Sequence, residues 1–281
     1  MQARQGSFTG AGGLRIHWQA WEPGGARRAA IVLAHGASEH GGRYGHLLDR
    51  VLPAGYCVHA LDHRGHGHSG GRRGVIDRLP HALADLDAFV DQVRGEHPDT
   101  PLFLLGHSMG GAIALSYAFE HQEKLDALIL SSPAAALGSA SPVERVLGKL
   151  LSAVAPGLGV LGVDPDHISH DPAEVDAYRA DPLVHHGKLP ARTVSELTAA
   201  IERYPERVGT LTLPLLVIHG ADDRLTPPEG SRMVHAGASS QDKTLHVYDG
   251  LYHEMLNEVP ADRERVLDDL TAWLDERAPA G

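Results

Sequence analysis

The feature that most constrains how this chain can fold is a series of short, unbroken apolar runs. They are Ala30 to Leu33, Tyr56 to Leu61, Leu102 to Leu105 and Leu128 to Leu130, with Leu213 to Ile218 and Leu245 to Tyr248 late in the chain. A strand with one wet face alternates apolar and polar residues, whereas an unbroken run suits a strand buried on both faces, as in a parallel sheet. Amphipathic stripes separate the runs. Leu79, Leu83, Leu86, Val90 and Val93 share one helix face, and Val266, Leu267, Leu270, Trp273 and Leu274 share another. Strand and helix in alternation predict the α/β class, with a mostly parallel, doubly wound sheet. Leu14, Ile16 and Trp18 alternate with polar neighbours, as in a half-buried hairpin at the edge. At 281 residues the chain is long enough for a sizeable core.

The alternation breaks between Pro133 and Tyr204, where no strand is evident. Val143, Val146, Leu147, Leu150, Leu151 and Val154 follow helical spacing. From Leu150 to Val163 there is no charged residue, and Pro156, Gly157, Gly159 and Gly162 interrupt the stretch. This reads as a helical cap inserted over the carboxyl edge of the sheet, where open α/β sheets bind ligands. The expected organisation is a core of residues 1–132 and 205–281 with a cap or lid at 133–204.

Gly106-His107-Ser108-Met109-Gly110 matches G-x-S-x-G, directly after one apolar run and directly before a helical one. In that setting the glycines permit a sharp strand-to-helix turn that presents a serine hydroxyl to a cleft. A serine hydroxyl needs a base, and the base needs an acid to orient it. The chain order for such a fold is Ser, acid, His. Asp222 and Asp223 follow the strand ending at His219, and His253 follows the strand ending at Tyr248. His253 is preferred to His246 and His219, which lie within or at the end of strands, while spacing does not separate Asp222 from Asp223. The backbone N–H groups of Ala37, in the loop after the first parallel strand, and of Met109 are the expected oxyanion hole. Glu39, His40 and Arg43 read as holding that loop in place. His63, His66 and His68 lack an acidic or cysteine partner at zinc-ligand spacing, so 62–70 reads as a glycine-rich turn stapled by Arg64 and Asp62.

Composition removes several classes of function. Lys plus Arg number 25 against 36 Asp plus Glu, a formal charge of −11, which argues against a nucleic-acid partner. The single cysteine, Cys57, excludes an internal disulfide and any cysteine-based metal cluster, and its apolar strand suggests an inert buried thiol. The first residues carry no signal-peptide pattern, and no apolar run is long enough to span a bilayer. The expected location is cytoplasmic or peripheral at a membrane.

Six segments together resemble the monoacylglycerol lipase branch of the serine α/β hydrolases, and especially actinobacterial monoglyceride lipases. They are HGASEHGGRY (35–44), LDHRGHGHSGG (61–71), GHSMGG (106–111), DPLVHHG (181–187), HGADDRLTPPEGS (219–231) and GLYHEMLNE (250–258). The resemblance implies the α/β-hydrolase fold with a helical cap. It selects Asp223, which precedes Arg224 and has Pro228 closing the motif, and it supports Ser108, His253, Ala37 and Met109. It implies hydrolysis of a monoacylglycerol through an acyl-enzyme, with no metal or organic cofactor. The partner would be a small lipid ester, with membrane contact through the cap. The alternatives are a lysophospholipase, a short- or medium-chain carboxylesterase, a serine peptidase, or a binding protein that keeps the fold.

Overall fold

The computed structural model describes residues 4–138 and 150–278. Its centre is an eight-stranded sheet built from β1 (Arg4–Thr9), β2 (Arg15–Trp21), β3 (Ala29–Ala34), β4 (Tyr56–Leu61), β5 (Leu102–His107) and β6 (Ala127–Ser131). After a small two-stranded pair, β7 (Gly159–Leu161) and β8 (Leu189–Pro190), the sheet is completed by β9 (Leu215–Gly220) and β10 (Lys243–Tyr248). The strand order is β1-β2-β4-β3-β5-β6-β9-β10. β2 pairs antiparallel with both β1 and β4, and the remaining neighbours are parallel. Every residue of β3, β4, β5, β6 and β9 is buried, which is why these strands appear in the sequence as unbroken apolar runs. Leu245 to Tyr248 has the same appearance but belongs to an edge strand, β10, whose residues are mostly half-buried.

Helices pack on both faces of this sheet. α1 (Gly45–Val51) and the last helix, α7 (Pro260–Arg277), cover one face of the sheet through Leu47, Val266 and Leu270. α2 (Leu79–Glu96) and α3 (Met109–His121) cover the other through Leu86, Val90, Ile113 and Leu115. α4 (Pro172–Ala180) and α5 (Ala191–Ile201) lie between β6 and β9, and α6 (Pro228–Gly237) follows β9. From β3 the chain moves outward to β4 and then returns past β3 to lay down β5 on its other side. The loops after β3 and β5 therefore diverge from a topological switch point, the place where a parallel sheet opens a crevice at its carboxyl edge.

The segment between β6 and β9 contains the helices expected of it and one unexpected feature. β7 and β8 form a short antiparallel ladder with a shifted register. Strands this short, set among Gly157, Gly159 and Pro190, carry too few residues to display a period in the sequence. Asp171 caps α4 by accepting from the Ala173 N–H, with Pro172 at the first helical position. α5 is tied to the body by the Thr193 hydroxyl, which donates to Gly74 O at 2.7 Å and accepts from Ile76 N at 2.9 Å. Val143, Val146 and Leu147 of the expected helical stripe lie outside the described residues. Of its later members Leu150 is 60% and Val154 80% exposed, while Leu151 is half-buried.

Candidate active site

Ser108 sits between β5 and α3 with φ 54° and ψ −118°, a left-handed conformation that costs a non-glycine residue strain. The surroundings enforce it. A Cβ on Gly110 would strike the carbonyl oxygens of Ala34 and His35, and one on Gly106 would meet Gly110 O, so the turn closes only with glycine at both places. The Ser108 N–H donates to Ser131 O at 3.0 Å, and Ser108 O accepts from Ala112 N at 3.1 Å and Ala134 N at 3.0 Å. The elbow is thereby fixed to β6 and to the first turn of α3. Met109 is the first residue of α3, where a backbone N–H has no intrahelical acceptor and the helix dipole favours negative charge.

The structure separates the two aspartates. Asp222 is exposed, while the Asp223 side chain is wholly buried and Asp223 Oδ2 accepts from His253 Nδ1 at 2.7 Å. Asp223 Oδ1 accepts from the N–H groups of Leu225 at 2.7 Å and Thr226 at 3.0 Å, and Oδ2 also accepts from the Thr226 hydroxyl at 2.8 Å. Burial alone would raise this carboxyl. The charge of His253 and the hydrogen bonds from His219, His253 and the Thr226 amide outweigh it and hold Asp223 well below the usual carboxylate range. For His253, burial works downward, but the charge and hydrogen bond of Asp223 prevail and hold the imidazole above its ordinary value.

His219 is a participant the sequence did not single out. Its Nε2 lies 3.1 Å from both Asp223 Oδ2 and Thr226 O, atoms that only accept, so that nitrogen carries the proton. Its Nδ1 accepts from the Ser231 hydroxyl at 2.6 Å. The available signal was the spacing: residue 219 is the last but one of β9, and the turn that follows brings residue 223 back onto it.

Behind the loop after β3 lies a buried ionic network. Arg43 is bidentate to Glu254, at 2.7 and 3.0 Å, and donates to Glu39 at 3.1 Å. Glu39 also accepts from Gly36 N and from the Tyr44 hydroxyl, and Arg43 lies over the Tyr178 ring of α4 at 4.8 Å. Burial opposes Glu254 ionising, but Arg43 overcomes this and lowers its pKa to about 2. Glu39 and Arg43 thus do hold the loop, and Glu254 links them to His253. His40 contributes separately, bonding Asp181 at 2.8 Å. In the turn at 62–70, Asp62 and Arg64 act independently: Asp62 accepts from the Gly41 and His68 amides, while Arg64 pairs with Asp77 and Asp85.

Ser108, Met109, Ala37, Asp223 and His253 all line one cavity of about 690 Å³. Leu161, Val163, Ile168, Leu189, Leu197 and Ile201 form much of the rest of its wall, so apolar side chains share the cavity with these polar groups. The volume falls within the roughly 300–1,000 Å³ of small-molecule sites.

The model of the serine aminopeptidase S33 (Hydrolase_4) family matches residues 25–260. The chain belongs to this serine hydrolase family. It is 45% identical over 269 residues to a monoacylglycerol lipase of Mycolicibacterium smegmatis, covering 95% of each chain. Among solved structures, a monoacylglycerol lipase of Paleococcus ferrophilus superposes with a TM-score of 0.83 at 30% identity, covering 99% of this chain and 100% of the other. A soluble variant of the Saccharomyces cerevisiae monoglyceride lipase, in complex with a substrate analogue, superposes with a TM-score of 0.88 at 25% identity, covering 99% and 96%. The family's α/β-hydrolase fold is the architecture described above. Among the described residues no helix is long and apolar enough to cross a membrane.

Proposed function

We propose that this serine hydrolase cleaves monoacylglycerol to glycerol and a fatty acid. The observation that carries the reading is the lining of the cavity: the serine elbow and the Asp223–His253 pair share it with an apolar wall suited to an acyl chain. In this reading Ser108 Oγ attacks the ester carbonyl while His253 Nε2 takes its proton. Asp223 holds Nδ1 of the imidazole and stabilises the positive charge that develops. The N–H groups of Ala37 and Met109 receive the oxyanion, each contributing roughly 3 kcal/mol. Gly36, next to Ala37, is held by Glu39, which fixes the direction of that donor. Glycerol leaves with the proton from His253, and water then cleaves the acyl-enzyme by the same route. This acyl transfer runs on Ser108, His253 and Asp223 without a metal or organic cofactor.

Residues 133–204 act as the cap. They bring the apolar wall over the nucleophile and carry an exposed lip, Leu158 and Leu161, that touches the lipid surface from which substrate is drawn. Glu39 and Glu254, two of the carboxylates that line the cavity, are engaged by Arg43 rather than free for a substrate ammonium.

The test is a panel of monoacylglycerols of graded acyl length, lysophosphatidylcholine and aminoacyl arylamides, run beside fluorophosphonate labelling. We expect turnover to be highest on monoacylglycerol and both turnover and labelling to be lost in Ser108→Ala. Preference for lysophosphatidylcholine or an arylamide would replace the substrate class. Labelling that survives in Ser108→Ala would overturn the nucleophile.

A further inference from the structure

A second convergence of reactive side chains lies at the other end of the sheet. The active-site loops leave the carboxyl ends of the parallel strands, whereas Cys57 lies near the start of β4. Cys57 and His59 alternate onto the same face of β4. His97 is the C-terminal cap of α2, its N–H bonded to Val93 O at 3.0 Å. His59 Nε2 stands 3.0 Å from His97 Nε2, and Cys57 Sγ stands 3.8 Å from that same nitrogen. All three ligating atoms lie within 4.8 Å of one another. Cys57 and His59 are fully buried, and His97 is 5% exposed, at the surface end of the group.

Facing Nε2 atoms meet without repulsion only if one proton is shared between the two rings or an ion lies between them. The thiol reaches Ala29 O at 3.6 Å as well as His97 Nε2. The separations of 3.0 and 3.8 Å flank those that a bound metal sets. At about 2.0–2.1 Å for Zn–N and 2.3 Å for Zn–S, neighbouring ligand atoms of a tetrahedron stand roughly 3.3–3.7 Å apart. One thiolate with two imidazoles is a donor set for Zn²⁺ or Co²⁺ rather than for Mg²⁺ or Ca²⁺. A single cysteine excludes a multi-cysteine cluster but not this mixed set.

We propose that Cys57, His59 and His97 form a binding site for one Zn²⁺-class ion, ligated by the thiolate and both Nε2 atoms, with a water at the fourth position on the His97 side. As the ion binds, the sulfur–metal bond forms and the Cys57 proton leaves to solvent. Each imidazole keeps its one proton, on Nδ1, and no electron is transferred. The ion ties the end of α2 to β4 at the sheet end away from Ser108, so its work is structural and the hydrolysis proceeds without it.

The test titrates the purified full chain with Co²⁺ and reads the thiolate-to-metal charge-transfer absorption. Zn²⁺ is then titrated against the thermal midpoint. We expect one equivalent of Co²⁺ to produce the band and Zn²⁺ to raise the midpoint. Removing partners that merely orient a ligand weakens metal sites 10- to 100-fold, so Cys57→Ser and His97→Gln should each weaken binding at least about 100-fold. Hydrolysis of p-nitrophenyl butyrate by these variants reports that they are folded, and His97→Gln, at the helix end, guards against a folding failure of Cys57→Ser. Ser108→Ala should bind Co²⁺ like the parent chain. Absence of the charge-transfer band, or an unchanged titration in either ligand variant, would overturn the site and leave only adventitious binding to surface histidines.

Discussion

Asp222 and Asp223 are chemically identical neighbours that differ in what surrounds them. Five donors converge on the Asp223 carboxylate, two of them imidazole nitrogens, while Asp222 is exposed. If Asp223 orients His253, Asp223→Asn should lower kcat by about 10⁴, the scale typical of triad acids, and Asp222→Asn should keep most activity. The pH profile gives an independent reading. His253 must be neutral to act as a base, so activity is present above its pKa and lost below it. That pKa is raised by Asp223, so the acid limb of kcat/KM on a soluble ester should fall above the ordinary imidazole value of about 6.5. In the residual activity of Asp223→Asn the limb should move down, because the raising influence is gone while burial remains. A limb that stays put would show that the carboxylate and the imidazole are not coupled.

At the scale of elements, the proposed cap combines two environments in one short segment. Leu161 lines the cavity yet is 52% exposed, and Leu158 beside it is 49% exposed, so the β7 region is the rim of the pocket rather than buried core. If the proposed lipid substrate enters here, the exposed apolar rim has a functional cause. Each side chain withdrawn from water into lipid contributes on the order of 1 kcal/mol, less the cost of ordering it. With a net charge of −11, attraction to a membrane must come from this apolar surface and should respond little to salt. Replacing Leu158 and Leu161 by Ser should therefore weaken liposome binding and slow long-chain monoacylglycerol hydrolysis. Hydrolysis of p-nitrophenyl butyrate, which needs little of the acyl wall and no interface, should change much less. Equal slowing of both substrates with a lower melting temperature would assign the segment to the core instead.

Across the whole molecule, Arg43 joins parts that are far apart in the chain: the loop after β3 through Glu39, the histidine loop through Glu254 and the cap through Tyr178. Side-chain exposures of 7% or less leave little water to compensate a lost partner. Arg43→Met should cost about 3–5 kcal/mol in urea unfolding because it strands two buried carboxylates, and adding Glu39→Gln and Glu254→Gln should recover part of that loss. A cost below about 1 kcal/mol, the range of surface pairs, would show that water reaches the network. The sequence by itself determined the parallel sheet, because strands buried on both faces are largely apolar along their length. It determined the serine elbow as well, because only glycine fits where Gly106 and Gly110 approach their neighbours. It ordered the acid and histidine after the serine through the succession of strands. Only the tertiary structure decided which aspartate turns inward on geometry, that His219 and Thr226 share its charge, and that Leu245 to Tyr248 lies at an edge. It also decided that Cys57, His59 and His97 converge. The physical reason is range: period and turn chemistry act over a few residues, whereas burial, ion pairing and ligand convergence join positions that only the packed sheet brings together.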